Sequence, residues 1–286
     1  MAAAQIDCVV AAPSKLIRPG GDRIKTNARD AAHLTRLLGV GEITAVTVAE
    51  AEVEAVGDLV RAREDARADL MRVRHRLSKL LLRQGRVYSG GKAWTGVHEA
   101  WLRRQRFDDA HTTAAFDHHF DAVLSTTAAR DRLDEQIVTV AASPRWTDSV
   151  DRLGCLRGIS ALTGLALSVE IGDWTRFTGA SIGDGCWSRR PGTTVLITAT
   201  RARRCGPRWA KVDPALKARG HAGNRRLHQQ WCQFNERKKP HVVANVAVAR
   251  QLAGWCWSLA TLTCTQATKL DRSQPVDGEV GELDLR

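Results

Sequence analysis

From Glu50 to Gly85 apolar residues recur in steps of three and four: Leu59, Ala62, Ala66, Leu70, Val73, Leu77 and Leu80. That spacing lays them along one stripe of a single long helix, with Arg61, Arg63, Glu64, Asp65, Arg67, Arg72, Arg74 and Arg76 on its other faces. Gly85 is a suitable C-terminal stop, because glycine takes the left-handed conformation that ends helices. A helix this long cannot bury its stripe alone, so it requires a second helix. The stretch from about Thr112 to Ala142 offers one, with Phe116, Phe120, Val123, Leu124, Leu133, Ile137 and Val140 on one side before Ser143-Pro144 ends it. The two pair as an antiparallel hairpin or zip to a second subunit, and a linker around Gly90-Gly91 joins them. Residues 51–145 are therefore expected to form a coiled-coil helical insert and to support a homo-oligomer.

The flanks differ from it in period. Asp7 to Val10 is strand-like, Pro13 to Gly21 is a Pro/Gly loop, and Thr26 can N-cap a helix carrying Ala31, Leu34, Leu37 and Leu38 inward. The β-branched run Ile43 to Val48 reads as a second strand, so residues 1–50 are expected to hold a β-α-β unit in a parallel or mixed sheet. Beyond Trp146 the chain reads as mainly helical to about residue 265. Leu153-Gly154-Cys155-Leu156-Arg157-Gly158-Ile159, followed by an Ala/Leu-rich helix, resembles a helix-hairpin-helix; Gly158 permits the turn, and the next helix presents backbone N–H groups to phosphate. An ordinary helical hairpin has the same pattern. Residues 178–211 lose periodicity, punctuated by glycine, proline and arginine. A basic helix from about Ala222 to Arg237 follows, with Arg225, Arg226, Lys238 and Lys239 placed to face phosphate. The apolar run Val242 to Leu262 is interrupted by Asn245, Arg250, Gln251 and Ser258, so it reads as a buried helix and not a membrane span. The acidic tail at 266–286 is expected to be disordered.

A formal charge of +12, from 43 Lys and Arg against 31 Asp and Glu, favours a polyanionic partner, nucleic acid first. Seven cysteines without a C-x-x-C pair read as reduced structural thiols, and the N-terminus lacks the charged and apolar regions of a secretion signal. A cytoplasmic, nucleoid-associated protein is expected. Lys25-Thr26-Asn27-Ala28-Arg29-Asp30-Ala31 sets one acid beside two cations at a helix start. Asp30 there serves either as a metal ligand beside a phosphate or as a first-turn acid stabilising its own helix dipole. The sequence has no phosphate-binding P-loop, no dinucleotide-binding glycine motif and no H-E-x-x-H, and His118-His119 reads as a solvated face.

Four blocks in order resemble one known family: Cys8 to Ser14, Gly21 to Ala31, Leu59 to Asp65, and Cys155 to Ile159 with Glu170-Ile171-Gly172-Asp173. The family is the insertion sequence one-ten group of bacterial DEDD transposases. The resemblance implies an α/β RuvC-like, ribonuclease-H-type domain, of which residues 1–50 are a remnant. It further implies the coiled-coil insert and a C-terminal transposase domain carrying a nucleophilic serine. Four carboxylates would hold Mg2+ beside DNA, the serine would take the broken strand, and a guide RNA from the element would choose the target.

This sequence departs from that pattern. The family's paired acids fall on Asn27 and Asp30, so a neutral amide stands at one carboxylate position. The serine motif expected after Phe177 is absent, and neither Ser181 nor Ser188 inherits its role. The family's opening strand, with its acids, should precede Cys8. The expectation is a truncated, frameshifted and pseudogene-like transposase copy, catalytically inactive, with Asp30 the surviving ligand. Lys25, Arg29, Arg157, Gly158, Arg225, Arg226, Lys238 and Lys239 are its expected nucleic-acid contacts. The alternative is a non-catalytic DNA-binding or dimerisation protein derived from a transposase.

Overall fold

The computed structural model describes residues 8–11, 16, 26–46, 48–177 and 212–262, and these are mainly helical. The chain divides into two units, Met1–Glu54 and Ala55–Arg286.

In the first unit, helix α1 (Asn27–Gly39) begins as expected, with the Thr26 hydroxyl accepting from the Arg29 N–H at 3.3 Å. Its inward stripe is corrected: Leu37 is buried, whereas Leu34 and Leu38 are exposed. The β-α-β expectation is corrected too. Ala11 and Ala45 form a single antiparallel bridge, with Val46 N–H donating to the Val10 carbonyl at 2.7 Å, where a crossover unit needs parallel pairing. Val9, Val10, Val46 and Val48 are exposed, so among the described residues these β-branched runs lack the neighbours that make a strand favourable.

The long helices are α2 (Ala51–Arg83) and α4 (Ala110–Ala141). They form an antiparallel hairpin within one chain. Leu70, Leu77, Leu80 and Leu81 of α2 share a core with Phe116, Phe120 and Val123, near the start of α4. At the opposite end, Arg63 Nε donates to Asp134 Oδ1 at 2.6 Å. Early α2 thus meets late α4, and late α2 meets early α4. Gly85 ends α2 as expected, at φ +67°. The linker holds a helix the sequence reading missed, α3 (Gly96–Arg103), capped by the Thr95 hydroxyl. Its His98 is buried among Tyr88, Trp94 and Trp101, with ring centroids 4.6, 5.0 and 5.6 Å away. His98 Nδ1 accepts from the Trp94 N–H at 3.2 Å, and the Arg74 guanidinium lies 4.8 Å above the Trp94 ring.

Ser143-Pro144 ends α4 and starts α5 (Pro144–Leu153), since proline at a first helical position lacks only an N–H that would go unused. Helix α6 (Ala161–Ile171) and a short 3-10 turn (Trp174–Arg176) follow. After the undescribed stretch come α7 (Pro214–Glu236), eight residues longer at its start than expected, and α8 (His241–Thr261). Leu153, Leu156, Leu167, Ile171, Leu216, Leu252, Ala253, Cys256 and Leu259 form the common core of this lobe. The first turns of α8 are buried only at Ala244, since Val242, Val243 and Val246 are exposed. Burial pushes the Cys256 thiol far above its usual range, leaving it an inert part of the core. Among the described residues no helix is long and apolar enough to cross a membrane.

Candidate nucleic-acid interface

The best-defined junction of the C-terminal lobe is built around Gly158. Helices α5 and α6 are joined by a turn in which Gly158 adopts φ +86°, a conformation a side chain would strain. The turn carries exposed Arg157 and is held from outside by α7. Asn224, 7% exposed, accepts from the Arg157 N–H through Oδ1 at 2.8 Å and donates through Nδ2 to the Cys155 carbonyl at 3.0 Å. One side-chain amide thereby satisfies two backbone groups of the turn.

Two glycines let α7 come this close. A Cβ on Gly220 would stand 2.7 Å from the Cys155 Cβ and 2.8 Å from its carbonyl oxygen, and one on Gly223 would meet the Trp255 ring at 2.9 Å. Sequence reasoning missed Gly220, Gly223 and Asn224. Their signal is a Gly-x-x-Gly-Asn run inside a helix, where glycine costs about 1 kcal/mol and so requires a packing reason.

The clamp brings together residues chosen separately from the sequence. Arg225 and Arg226 directly follow Asn224, both are exposed, and Asn224 is bonded to the backbone of Arg157. Lys238 and Lys239 are exposed roughly three helical turns farther along, past the end of α7, and Lys238 has φ +49°. Arg219 is committed elsewhere: its Nε donates to Ser258 at 2.8 Å and its guanidinium lies 4.6 Å above Trp255. The expected offer of N–H groups to phosphate is reduced, since Arg157 N–H serves Asn224 and Thr163 N–H serves the Ser160 cap at 3.3 Å.

Around Asp30 the arrangement is simpler. Asn27 and Asp30 lie three apart in the first turn of α1, on one face, beside exposed Arg29. Asp30 is half-buried and stands where an acid stabilises the helix dipole. Among the described residues no group of three His, Cys, Asp or Glu is arranged to hold a metal. One carboxylate and one amide do not make a magnesium site, so the described donors do not fit that ion. Lys25, Ser181, Ser188 and the 178–211 stretch, like Cys186, Cys205 and Cys264, lie outside the described residues.

Fold and site define a helical protein with a clamped hairpin junction and basic faces. Similarity to known proteins narrows this further. The chain is 32% identical over 288 aligned positions to a putative transposase, y4qE, of Sinorhizobium fredii, covering 89% of this chain and 69% of that protein. It is 33% identical over 171 positions to the transposase for insertion sequence element IS1533 of Leptospira borgpetersenii, covering 59% of this chain and 49% of that protein. No family model and no solved structure matches it. The chain belongs to the transposase family.

Proposed function

We propose that this member binds DNA through the sugar-phosphate backbone, as an insertion-sequence transposase must, and that the polypeptide as it stands does not cut it. The observation carrying the first half is the Asn224 clamp, which ties the Arg157 turn to α7 just ahead of Arg225 and Arg226. Exposed guanidiniums on a rigid backbone junction lose little freedom on meeting phosphate, and Arg suits phosphate through its planar donor fork. Gly158 then acts as the hinge of a helix-hairpin-helix.

The finer reading, a DEDD transposase of the insertion sequence one-ten family with a RuvC-like N-terminal domain, rests on the resemblance of the four sequence blocks. Within it Asp30 is a remaining metal ligand and Asn27 a lost one. An amide carries no charge to offset Mg2+, so a pair reduced to one acid binds the ion poorly. Mg2+, when bound by a full carboxylate set, stabilises charge in phosphoryl displacement; this pair alone does not hold it there. A guide RNA would be a second polyanionic partner, and the helical hairpin the contact for a homo-oligomer at the nucleoid. The runner-up, a non-catalytic DNA-binding protein derived from a transposase, shares the binding half.

The test is to incubate the purified full chain with DNA bearing the element's ends, its RNA and Mg2+. Retarded DNA without strand breaks or a covalent protein–DNA adduct is expected. An adduct or a nick sinks the inactivity, and absence of binding at low salt sinks the function.

A further inference from the structure

Nine of the chain's twelve net positive charges come from residues 70–107, which hold ten Lys and Arg against one acid, Glu99. This is the outer half of the α2/α4 hairpin with its connecting helix, a region that the sequence-based choice of nucleic-acid contacts did not include. Within it the cations are ordered. Arg72, Arg76, Lys79 and Arg83 follow one another at steps of four, three and four, so they fall within about 60° of each other around α2 and span about 16 Å of its axis. All four are exposed.

Their partners are few. Arg72 is bonded to Asp69, the last acid of α2. For Arg76, Lys79 and Arg83 no ion pair is formed among the described residues. Other cations of the region are occupied: Arg74 packs on Trp94, Arg103 binds Glu99, and Arg86 donates to the Arg106 carbonyl. What sets the stripe apart is its alignment along one face of α2.

The neighbouring helix adds hydroxyls and a further cation, while Asp69 is the acid of the groove lining. Arg72 and Arg76 border an open groove of about 550 Å³ whose other bank is Ser125, Thr126 and Arg132 of α4. His119 of α4 stands close by. Burial and the charges of His118, Arg76 and Arg83 hold its imidazole below the usual range, so at neutral pH it accepts or donates hydrogen bonds without adding charge. A straight row of cations beside hydroxyls and a further guanidinium is what a polyphosphate strand requires: point charges at regular intervals and donors to its oxygens.

We infer that the Arg72-Arg76-Lys79-Arg83 stripe, with Arg132 across the groove, is a second binding surface for a nucleic-acid backbone, separate from the Arg157/Arg225 junction. It rests on the proposed DNA-binding function and adds to it. The contact is with phosphate and carries no base sequence. It gives the long hairpin a task besides spacing, holding a second segment of nucleic acid away from the C-terminal junction.

The experiment uses the full chain and a random-sequence DNA duplex of about two turns, with a matching RNA duplex as a second arm, followed by fluorescence anisotropy across salt concentrations. For the combined variant Arg72→Gln/Arg76→Gln/Lys79→Gln/Arg83→Gln, the slope of log affinity against log salt should become shallower by about 3.6, at roughly 0.9 for each of four phosphates no longer neutralised. A variant with the three arginines replaced by lysine should keep the wild-type slope, and Arg225→Gln/Arg226→Gln should lower it independently. Whichever arm shows the larger change identifies the backbone. Wild-type binding with an unchanged slope in the Gln variant overturns this surface while leaving the proposed function standing; no binding by the wild type overturns both. If the Gln variant instead changes only the sedimenting species, the stripe joins two copies of the chain and the inference fails. Should that variant not fold, Arg76→Gln/Arg83→Gln is read the same way, with an expected slope change of about 2.

Discussion

The hairpin and the C-terminal lobe are both helical, yet they are held together at different distances from the backbone. In the hairpin, large side chains meet at heptad spacing, with Leu70, Leu77 and Leu80 against Phe116 and Phe120. In the lobe, α7 reaches the α5–α6 turn so closely that two of its residues have no side chain, and a third spends its amide on the turn's backbone. The first arrangement tolerates exchange of one apolar residue for another of similar volume; the second tolerates almost nothing. A long hairpin therefore can drift in sequence while keeping its shape. The junction that ties the Arg157 backbone to Asn224 cannot.

The largest expected effect is on the hairpin. Leu77 is 0% exposed, so Leu77→Ala removes a fully enclosed side chain and leaves a cavity, destabilising the protein by about 3–4 kcal/mol in denaturant unfolding followed by circular dichroism. Leu77→Met, which preserves volume, should cost less than about 1.5 kcal/mol. If Met is as harmful as Ala, the hairpin core is as shape-specific as the lobe and the contrast fails.

Next comes the reverse experiment in the lobe. Gly220→Ala adds one carbon where the Cys155 carbonyl oxygen stands 2.8 Å away, and backbone cannot swing aside as a side-chain tip can. A loss of about 2–3 kcal/mol is expected, although alanine favours helix over glycine by about 1 kcal/mol. Unchanged or raised stability in thermal melts would mean that α7 does not sit on the turn.

This contrast also explains which parts were legible in the sequence. A heptad stripe is a statement about side chains, so the ends of α2 and α4 were placed within a few residues, with the glycine stop at Gly85. The antiparallel pairing followed from the same stripe, although a second subunit would have satisfied it equally. Close approach is a statement about two distant segments, and no periodicity encodes that Gly220 lies on Cys155, 65 positions earlier. Helix α3 is hidden for a related reason: it is short and buries only one apolar residue, Leu102, together with His98, a polar residue that aromatic rings enclose. The β-branched runs misled in the opposite direction, because Val46 and Val48 express strand propensity without the neighbours that realise it among the described residues. Of the candidate site, the arginines were found by charge. The residue that organises them, Asn224, has no charge to reveal it.

The smallest expected effect tests whether the hairpin's tip shares the lobe's dependence on a buried polar group. His98 is enclosed by Tyr88, Trp94 and Trp101, and burial followed by the charge of Arg74 lowers its pKa from the usual 6.5. The nearest acid on its helix, Glu99, is bonded to Arg103, so it does not favour the imidazolium. A folded-state value below the unfolded one means that the unfolded chain binds the proton more readily. The stability His98 contributes is then complete above 6.5 and is lost as pH falls through the folded value. His119 is held low as well and acts in the same direction, so the decisive measurement is a difference. Between about pH 7.5 and about pH 5.5 the wild-type melting temperature should fall more steeply than that of His98→Gln, whose side chain does not titrate there. Parallel curves would show that the fold leaves the proton affinity of His98 unchanged, against the ring of aromatic neighbours and the guanidinium on Trp94, and the tip would then be loosely packed.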